Sequence, residues 1–239
     1  MVPGDSRTVL LESMTTDDVE AALEGGVDTV IVPLGATEQH GPHLPVDTDT
    51  VLATALACRL ARRLGTALVA PAIPVGPSVE HDRFPGTFSI RGETLVALLR
   101  DYLSSAVDQG FDRVVLLPGH GGSIPVVAAA YPELCRTDGV AVVAITDLSH
   151  YMGILQDALA AAGVDVDEPV GHAGAAETAM MLALDGDVLE ADPPTGHCGD
   201  VSAAALFSEG IQTYDEDGVL GDAAAATTRA GEAMLEHVA

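Results

Sequence analysis

Apolar strand-length runs alternating with helix-length segments predict an α/β fold, a three-layer α/β/α sandwich around a mostly parallel central sheet. Two observations carry this. Residues 27–34 (VDTVIVPL), 113–117 (RVVLL) and 140–146 (VAVVAIT) are β-branched and almost continuously apolar, as strands buried on both faces are. The segments between them repeat leucine at helical spacing and are long enough to cross over to a parallel neighbour.

In chain order, Thr15 to Asp18 precede a short apolar-periodic stretch that ends at Gly25 and Gly26, which reads as a capped helix. The first strand, 27–34, follows. In residues 50–64, Leu52, Leu56 and Leu60 form a stripe, and Arg59, Arg62 and Arg63 fall where cations suit a helix C-terminus. Residues 67–75 (ALVAPAIPV) read as a second strand, confined by Pro71 and Pro74 to its first few residues. A helix is predicted over 94–106, a strand over 113–117, and then a helix with Pro125 in its first turn and Ser123 as its cap. The 140–146 strand, a helix over 148–162, a helix after Gly171 running to Leu184 and an Ala-rich helix over 223–237 complete the reading.

The chain of 239 residues is 48% hydrophobic and has no linker-like run, so one domain spanning 1–239 is expected. No apolar run reaches bilayer-spanning length and no signal-peptide pattern opens the chain, which points to a cytoplasmic protein. Cys58, Cys135 and Cys198 are widely spaced and lack CxxC pairing, which argues against a disulfide framework and a thiolate zinc site. Asp and Glu number 36 against 10 basic residues, all Arg, for a formal charge of −26. That balance excludes nucleic acid and anionic membrane as partners, since both need clustered cations. It resembles the composition of salt-in halophiles, whose molar salt screens self-repulsion over about 3 Å.

The densest chemistry lies at 35–49, GATEQHGPHLPVDTD. Glu38 and His40 are two apart, so their side chains leave the same face of an extended segment. Asp49 opens the next helix, where its carboxylate either caps the first turn or turns inward to the same site. His43 sits in a separate turn fixed by Pro42 and Pro45 and reads as structural. PGHGGS follows the third strand and carries His120; GHAGAAET carries His172 and Glu177, five apart. Candidate ligands after Leu34 and after Leu117 would emerge at the carboxyl edge of a parallel sheet, where sites of such folds gather. His150, His197 and His237 have no partner pattern and take surface or loop roles.

PLGATEQHGPHLPVDTD, EHDRFPGTFSI, PGHGGS and HAGAAET, followed by GVLGD, together resemble the creatininase (creatinine amidohydrolase) family over most of the chain. The resemblance implies a hydrolase of carbon–nitrogen bonds other than ordinary peptide bonds, with two divalent ions (Zn, Mn or Fe), a small-molecule substrate and a homo-oligomeric, hexameric assembly. It places Glu38, His40, Asp49 and His120 at ligand positions, with Asp49 as the bridge. Founding creatininases carry a further ligand Glu two residues after the third-motif His. Gly122 stands there in this chain, so the fifth position passes to Glu177. About +4 from two ions against about −3 from three carboxylates leaves a net cation that acidifies a bridging water. The resulting hydroxide attacks a carbonyl carbon. His172 is the expected proton donor to the leaving nitrogen. Ser78, Glu80, His81, Gly121 and Gly122 are expected to line the substrate site.

Creatininase closes its substrate site with tryptophans, and this chain has none. Its GHGG motif is similar instead to that of a formamidopyrimidine-nucleotide deformylase of flavin and deazaflavin synthesis and of the mycofactocin precursor peptidase. A phosphate-bearing substrate would need cations, and Arg83 is the only Arg within the pocket motifs. The alternative from another class is a non-catalytic acidic metal-binding protein.

Overall fold

The computed structural model of the chain describes residues 8–166, 168 and 171–239. Thr15 caps the first helix, α1 (Thr16–Glu24), through a capping box with Asp18. The 27–34 run becomes β1 (Thr29–Leu34), buried at all six positions. After α2 (Thr48–Leu64) the chain forms β2 (Ala67–Val69), as short as its prolines dictate. Then come α3 (Gly92–Gln109), β3 (Arg113–Pro118), α4 (Ser123–Leu134), β4 (Ala141–Ala144) and α5 (Leu148–Ala161). The remaining helices are α6 (Ala175–Leu184), α7 (Ala203–Glu209) and α8 (Thr228–Val238).

The four strands pair in parallel in the order β2–β1–β3–β4. Side-chain alternation along β1 assigns its two faces. Val30, Val32 and Leu34 pack with Leu95, Leu99 and Leu103 of α3 and Val127 and Leu134 of α4. Ile31 packs on the other face with Ala57, Cys58 and Ala61 of α2. Behind α2 lies a second layer, in which Leu52 and Leu56 meet Leu155 and Leu159 of α5, Met180 of α6 and Met234 of α8. The sheet is therefore covered on both faces, as the sequence predicts. None of the helices of the described residues is long and apolar enough to cross a membrane.

Three local expectations are revised. Ser123 does not cap α4: the backbone already turns from His120, with Ser123 N–H donating to the His120 carbonyl at 3.3 Å, so Gly122 takes the cap position. The Ala-rich C-terminal segment divides into a short 3-10 turn, Ala223–Ala225, and α8, whose cap is Thr227. Helix α7 has no counterpart in the sequence reading, because seven residues show too little periodicity to register.

From β1 the chain crosses to β2 on one side, then returns to place β3 on the other. The carboxyl ends of β1 and β3 thus flank the point where the winding reverses, the usual crevice of open α/β sheets. Helix α2 closes on that crevice because residue 119 has no side chain. A Cβ there would lie 2.4 Å from the Asp49 carbonyl oxygen and 2.8 Å from the Ala53 Cβ. Replacing Gly119 with Ala is expected to push α2 away and cost about 1–3 kcal/mol, the usual range for overpacking. Urea unfolding measures this, and metal titration of the same variant reports the displaced Asp49.

Candidate metal centre and active site

Beyond β1 the chain turns through Glu38 and His40, the first turn of α2 presents Asp49, β3 leads into His120, and the first turn of α6 carries Glu177. Glu38, His40, Asp49, His120 and Glu177 are all buried. Asp49 has turned inward and caps nothing: its Oδ1 is 3.2 Å from His40 Nε2 and its Oδ2 3.4 Å from His120 Nδ1. Glu38 Oε1 lies 3.3 Å from His120 Nδ1 and 3.7 Å from His172 Nδ1, and Glu177 Oε2 is 3.7 Å from His40 Nε2.

The hydrogen bonds on the far side of each ring fix the tautomers. His40 Nδ1–H donates to the Glu38 carbonyl at 3.1 Å and His120 Nε2–H to the Pro77 carbonyl at 2.7 Å. The Gln39 amide nitrogen lies 3.0 Å from His172 Nε2, but with its two protons on His81 and the Gly218 carbonyl it leaves His172 Nε2–H to donate to the Gln39 carbonyl at 2.8 Å. Each ring therefore turns its other nitrogen, a lone pair in the neutral form, towards carboxylate oxygens. Backbone carbonyls orient metal-binding imidazoles in this way. Both oxygens of Glu38, His40 Nε2 and Asp49 Oδ2 are buried without a hydrogen-bond partner. Acceptors left facing one another in a dry site call for a cation, so the donor set fits a divalent ion. Among the described residues, ligand atoms lie within 4.8 Å of one another in three groups: Glu38, His40 and Asp49; His40, His172 and Glu177; and Glu38, His81 and His172. His81 is the exception chemically. Its Nδ1 accepts from Gln39 Nε2 at 2.9 Å, which leaves Nε2–H as a donor 3.4 Å from Glu38 Oε1.

Protonation follows the same charge distribution. Burial alone would lower the His40 imidazole, yet Asp49, Glu177 and Glu38 carry it up to about 10. Burial likewise opposes a charge on His120, and Glu38 and Asp49 raise it well above the ordinary imidazole range. Burial would raise Asp49, but His40 and His120 hold it well below the usual carboxylate range. Burial, reinforced by Asp49 and Glu38, lifts Glu177 to about 7 against the pull of His40. His172 is pushed well down by burial and by the neighbouring His40 and His81.

A cavity of about 250 Å³ opens over this floor. Its polar side includes Glu38, Asp49, Glu80, His81, His120 and Glu177, together with Gly121, Gly122 and His172. Its apolar side includes Leu148, Met152, Leu155, Leu206, Phe207 and Ile211. No Arg lines it. Arg83 is exposed and stands outside the lining.

A family profile described as creatinine amidohydrolase matches residues 12–239. The chain belongs to the creatininase family. It is 36% identical over 240 residues to the mycofactocin precursor peptide peptidase of Mycolicibacterium smegmatis, covering 97% of this chain and 90% of that protein. To the creatinine amidohydrolase of Pseudomonas putida it is 30% identical over 201 residues, 77% of this chain and 75% of that protein. Its fold matches a mutant creatininase of the Zn–Zn type with a TM-score of 0.80 at 26% identity, covering 98% of this chain and 95% of the other. This protein is thus a creatininase-family amidohydrolase.

Within this creatininase-family site, position 122 has no room for a ligand side chain. A Cβ on Gly122 would lie 2.4 Å from His120 Nε2 and 2.6 Å from the Pro77 carbonyl. Ser78 was expected on the substrate side, but it is fully buried, outside the cavity wall, with its Oγ 3.4 Å from His120 Nε2. The loop from Pro77 folds back over the outer edge of the His120 ring and takes Ser78 with it. His43 lies outside all three ligand groups, with its Nε2 3.0 Å from Thr178 Oγ1 of α6.

Sequence reasoning missed three residues. Gln39 shares the opening motif with Glu38 and His40 but leaves the other face, where its amide group donates to His81 and to the Gly218 carbonyl and accepts from Gly41 N–H. The alternation that aligned Glu38 with His40 also predicts this opposite direction. Tyr151, on α5 and in no motif, lines the cavity. Burial, with Glu177 and Asp49 nearby, raises its phenol so that it keeps its proton. Glu168 is buried and accepts from Ala175 N–H and Asp222 N–H at 2.7 Å each and from Ala176 N–H at 3.4 Å. It clamps the start of α6 to the 220–222 segment, which also pairs with His172 through Leu220.

Because His40 holds its proton up to about 10, an ion must displace that proton in order to bind. Metal affinity is therefore expected to rise with pH below that value, by about tenfold per pH unit for each proton released. Competition titrations across the neutral range give the slope. Glu177→Gln is expected to halve the bound metal, which elemental analysis of purified protein checks.

Proposed function

We propose that the chain hydrolyses an amide bond of a small, partly apolar substrate, with two divalent ions held by Glu38, His40, Asp49, His120 and Glu177. The observation that carries this reading is the set of buried, unpartnered carboxylate and imidazole atoms converging on the cavity floor. Zinc, manganese and iron all suit this mixture of donors. Ions held there would supply the acidification of a water molecule and the polarisation of the scissile carbonyl.

His172 is held neutral by burial and turns Nδ1 towards Glu38. It therefore begins as a proton acceptor, takes a proton from the attacking water and passes it to the leaving nitrogen. This refines its expected role as donor: the imidazole must first be charged by the reaction. Its Nε2–H bond to the Gln39 carbonyl fixes the ring for both transfers. His81 Nε2–H stands at the cavity as a neutral donor for developing negative charge, and the Tyr151 hydroxyl, which donates to the Gly119 carbonyl at 3.4 Å, would join it only by turning from that bond.

The cavity wall bears on the substrate. Among the described residues no Arg lines it, which disfavours the phosphate-bearing substrate of a deformylase. The apolar side formed by Met152, Phe207 and their neighbours suits an aliphatic or aromatic side chain, as at the end of a short peptide. Similarity to a precursor peptide peptidase across 97% of the chain supports that second reading. We also infer a cytoplasmic homo-oligomer, in line with the family resemblance and with Phe88 standing 68% exposed; gel filtration reports the assembly.

His172→Gln is expected to lower kcat of the metal-loaded enzyme on amide substrates by about a hundredfold or more with metal content unchanged. Loss of metal together with activity would make it a ligand. A non-catalytic metal-binding protein would show no metal-dependent turnover in any of these assays. The charge of −26 further implies a salt-requiring protein. The urea midpoint is expected to rise between dilute buffer and about 1 M KCl, where screening reaches about 3 Å.

A further inference from the structure

Glu80 is 4% exposed, lines the cavity and has a buried Oε2 with no hydrogen-bond partner. Among the described residues it belongs to none of the three groups of ligand atoms, and unlike His120, which also lies outside them but sits 3.3 Å from Glu38 and 3.4 Å from Asp49, it is within ion-pair distance of no side chain. Its Oε1 lies 2.9 Å from where a Cβ of Gly122 would stand, and the carboxyl thus occupies the space beside the third motif. Glu38, Asp49 and Glu177 each have an imidazole nitrogen within 3.7 Å. Glu80 is the cavity carboxylate with no such contact, in a lining that holds no Arg among the described residues and in a chain with no Lys. A buried acceptor without a partner is costly unless a ligand supplies one.

We propose that Glu80 is the recognition point for a protonated amine on the substrate, whose apolar body meets Leu148, Met152 and Phe207 of the same cavity lining. This rests on the amide-hydrolase reading and narrows its substrates to those pairing an ammonium group with an apolar body. The ammonium supplies both the N–H donor and the counter-charge that burial denies Glu80. A substrate with a phosphate or carboxylate at that position is rejected by the same group.

Isoamylamine and isoamyl alcohol test this, because they are nearly isosteric, differ in charge and contain no bond to hydrolyse. Calorimetry on the zinc-loaded protein is expected to show the amine binding at least about tenfold more tightly, the equivalent of about one charge-assisted hydrogen bond. In Glu80→Gln the two ligands are expected to bind within about twofold of each other, with zinc content and melting temperature unchanged. Equal affinities in the wild type, undetectable amine binding, or a preference that survives in Glu80→Gln would each overturn the proposal. So would loss of zinc from that variant, which would make Glu80 a ligand; Glu80→Ala, read for zinc content and amine preference, serves if the Gln variant does not fold. Leucinamide turnover is scored separately. Amine preference without turnover keeps the subsite and removes the amide-hydrolase reading, whereas turnover without preference does the reverse.

Discussion

Glu38, Asp49 and Glu177 bring three carboxylates into a space from which water is largely excluded, and His40, His120 and His172 turn lone-pair nitrogens towards them. Buried like charges repel, and buried acceptors without donors are destabilising. The arrangement is tolerable only when protons or metal ions occupy the middle. The raised His40 and His120 imidazoles are one expression of this, and fitness for divalent ions is the other. Much of the surrounding structure serves to keep these groups from relaxing apart: backbone carbonyls grip the outer nitrogens of three rings, and Gln39 ties His81 to the Gly218 carbonyl.

The fold meets that demand by geometry. Two strand ends and two helix starts converge near the reversal of winding, so Asp49 and Glu177 arrive on helices while Glu38, His40 and His120 stand in the segments that leave β1 and β3. Side chains on helices hold a site more closely than loop residues do. Because α2 is packed on the sheet by Ile31, Ala57 and Ala61, Asp49 is fixed by the hydrophobic core itself.

Strands and helices were legible because their apolar period is local, and Glu38, His40 and Asp49 were legible for the same reason: spacing by two and a helix start place them without knowledge of the rest. What was not legible depends on distant atoms. Nothing near Gly122 announces that the Pro77 carbonyl and the Glu80 carboxyl fill its side-chain space. Ser78 reads as a pocket residue until the loop is seen folding behind His120. Tyr151 and Glu168 carry no motif, since a phenol on a helix and an acid before a turn gain meaning only from tertiary neighbours. The family resemblance supplied roles for His120 and Glu177 that spacing alone leaves open.

The Glu168 clamp has a consequence for how such a protein diversifies. Residues 185–217 leave from the end of α6 and return just before Leu220, and this excursion contributes Val201, Leu206, Phe207 and Ile211 to the cavity. One carboxylate fastens the beginning of α6 to the return point, 54 residues beyond Glu168. With both feet anchored, lengthening the excursion adds only about 0.6 kcal/mol of closure entropy per doubling. Its sequence can therefore be rewritten while His172 and Glu177 stay where they are. The apolar wall is an exchangeable part, and the metal-side floor is the fixed one.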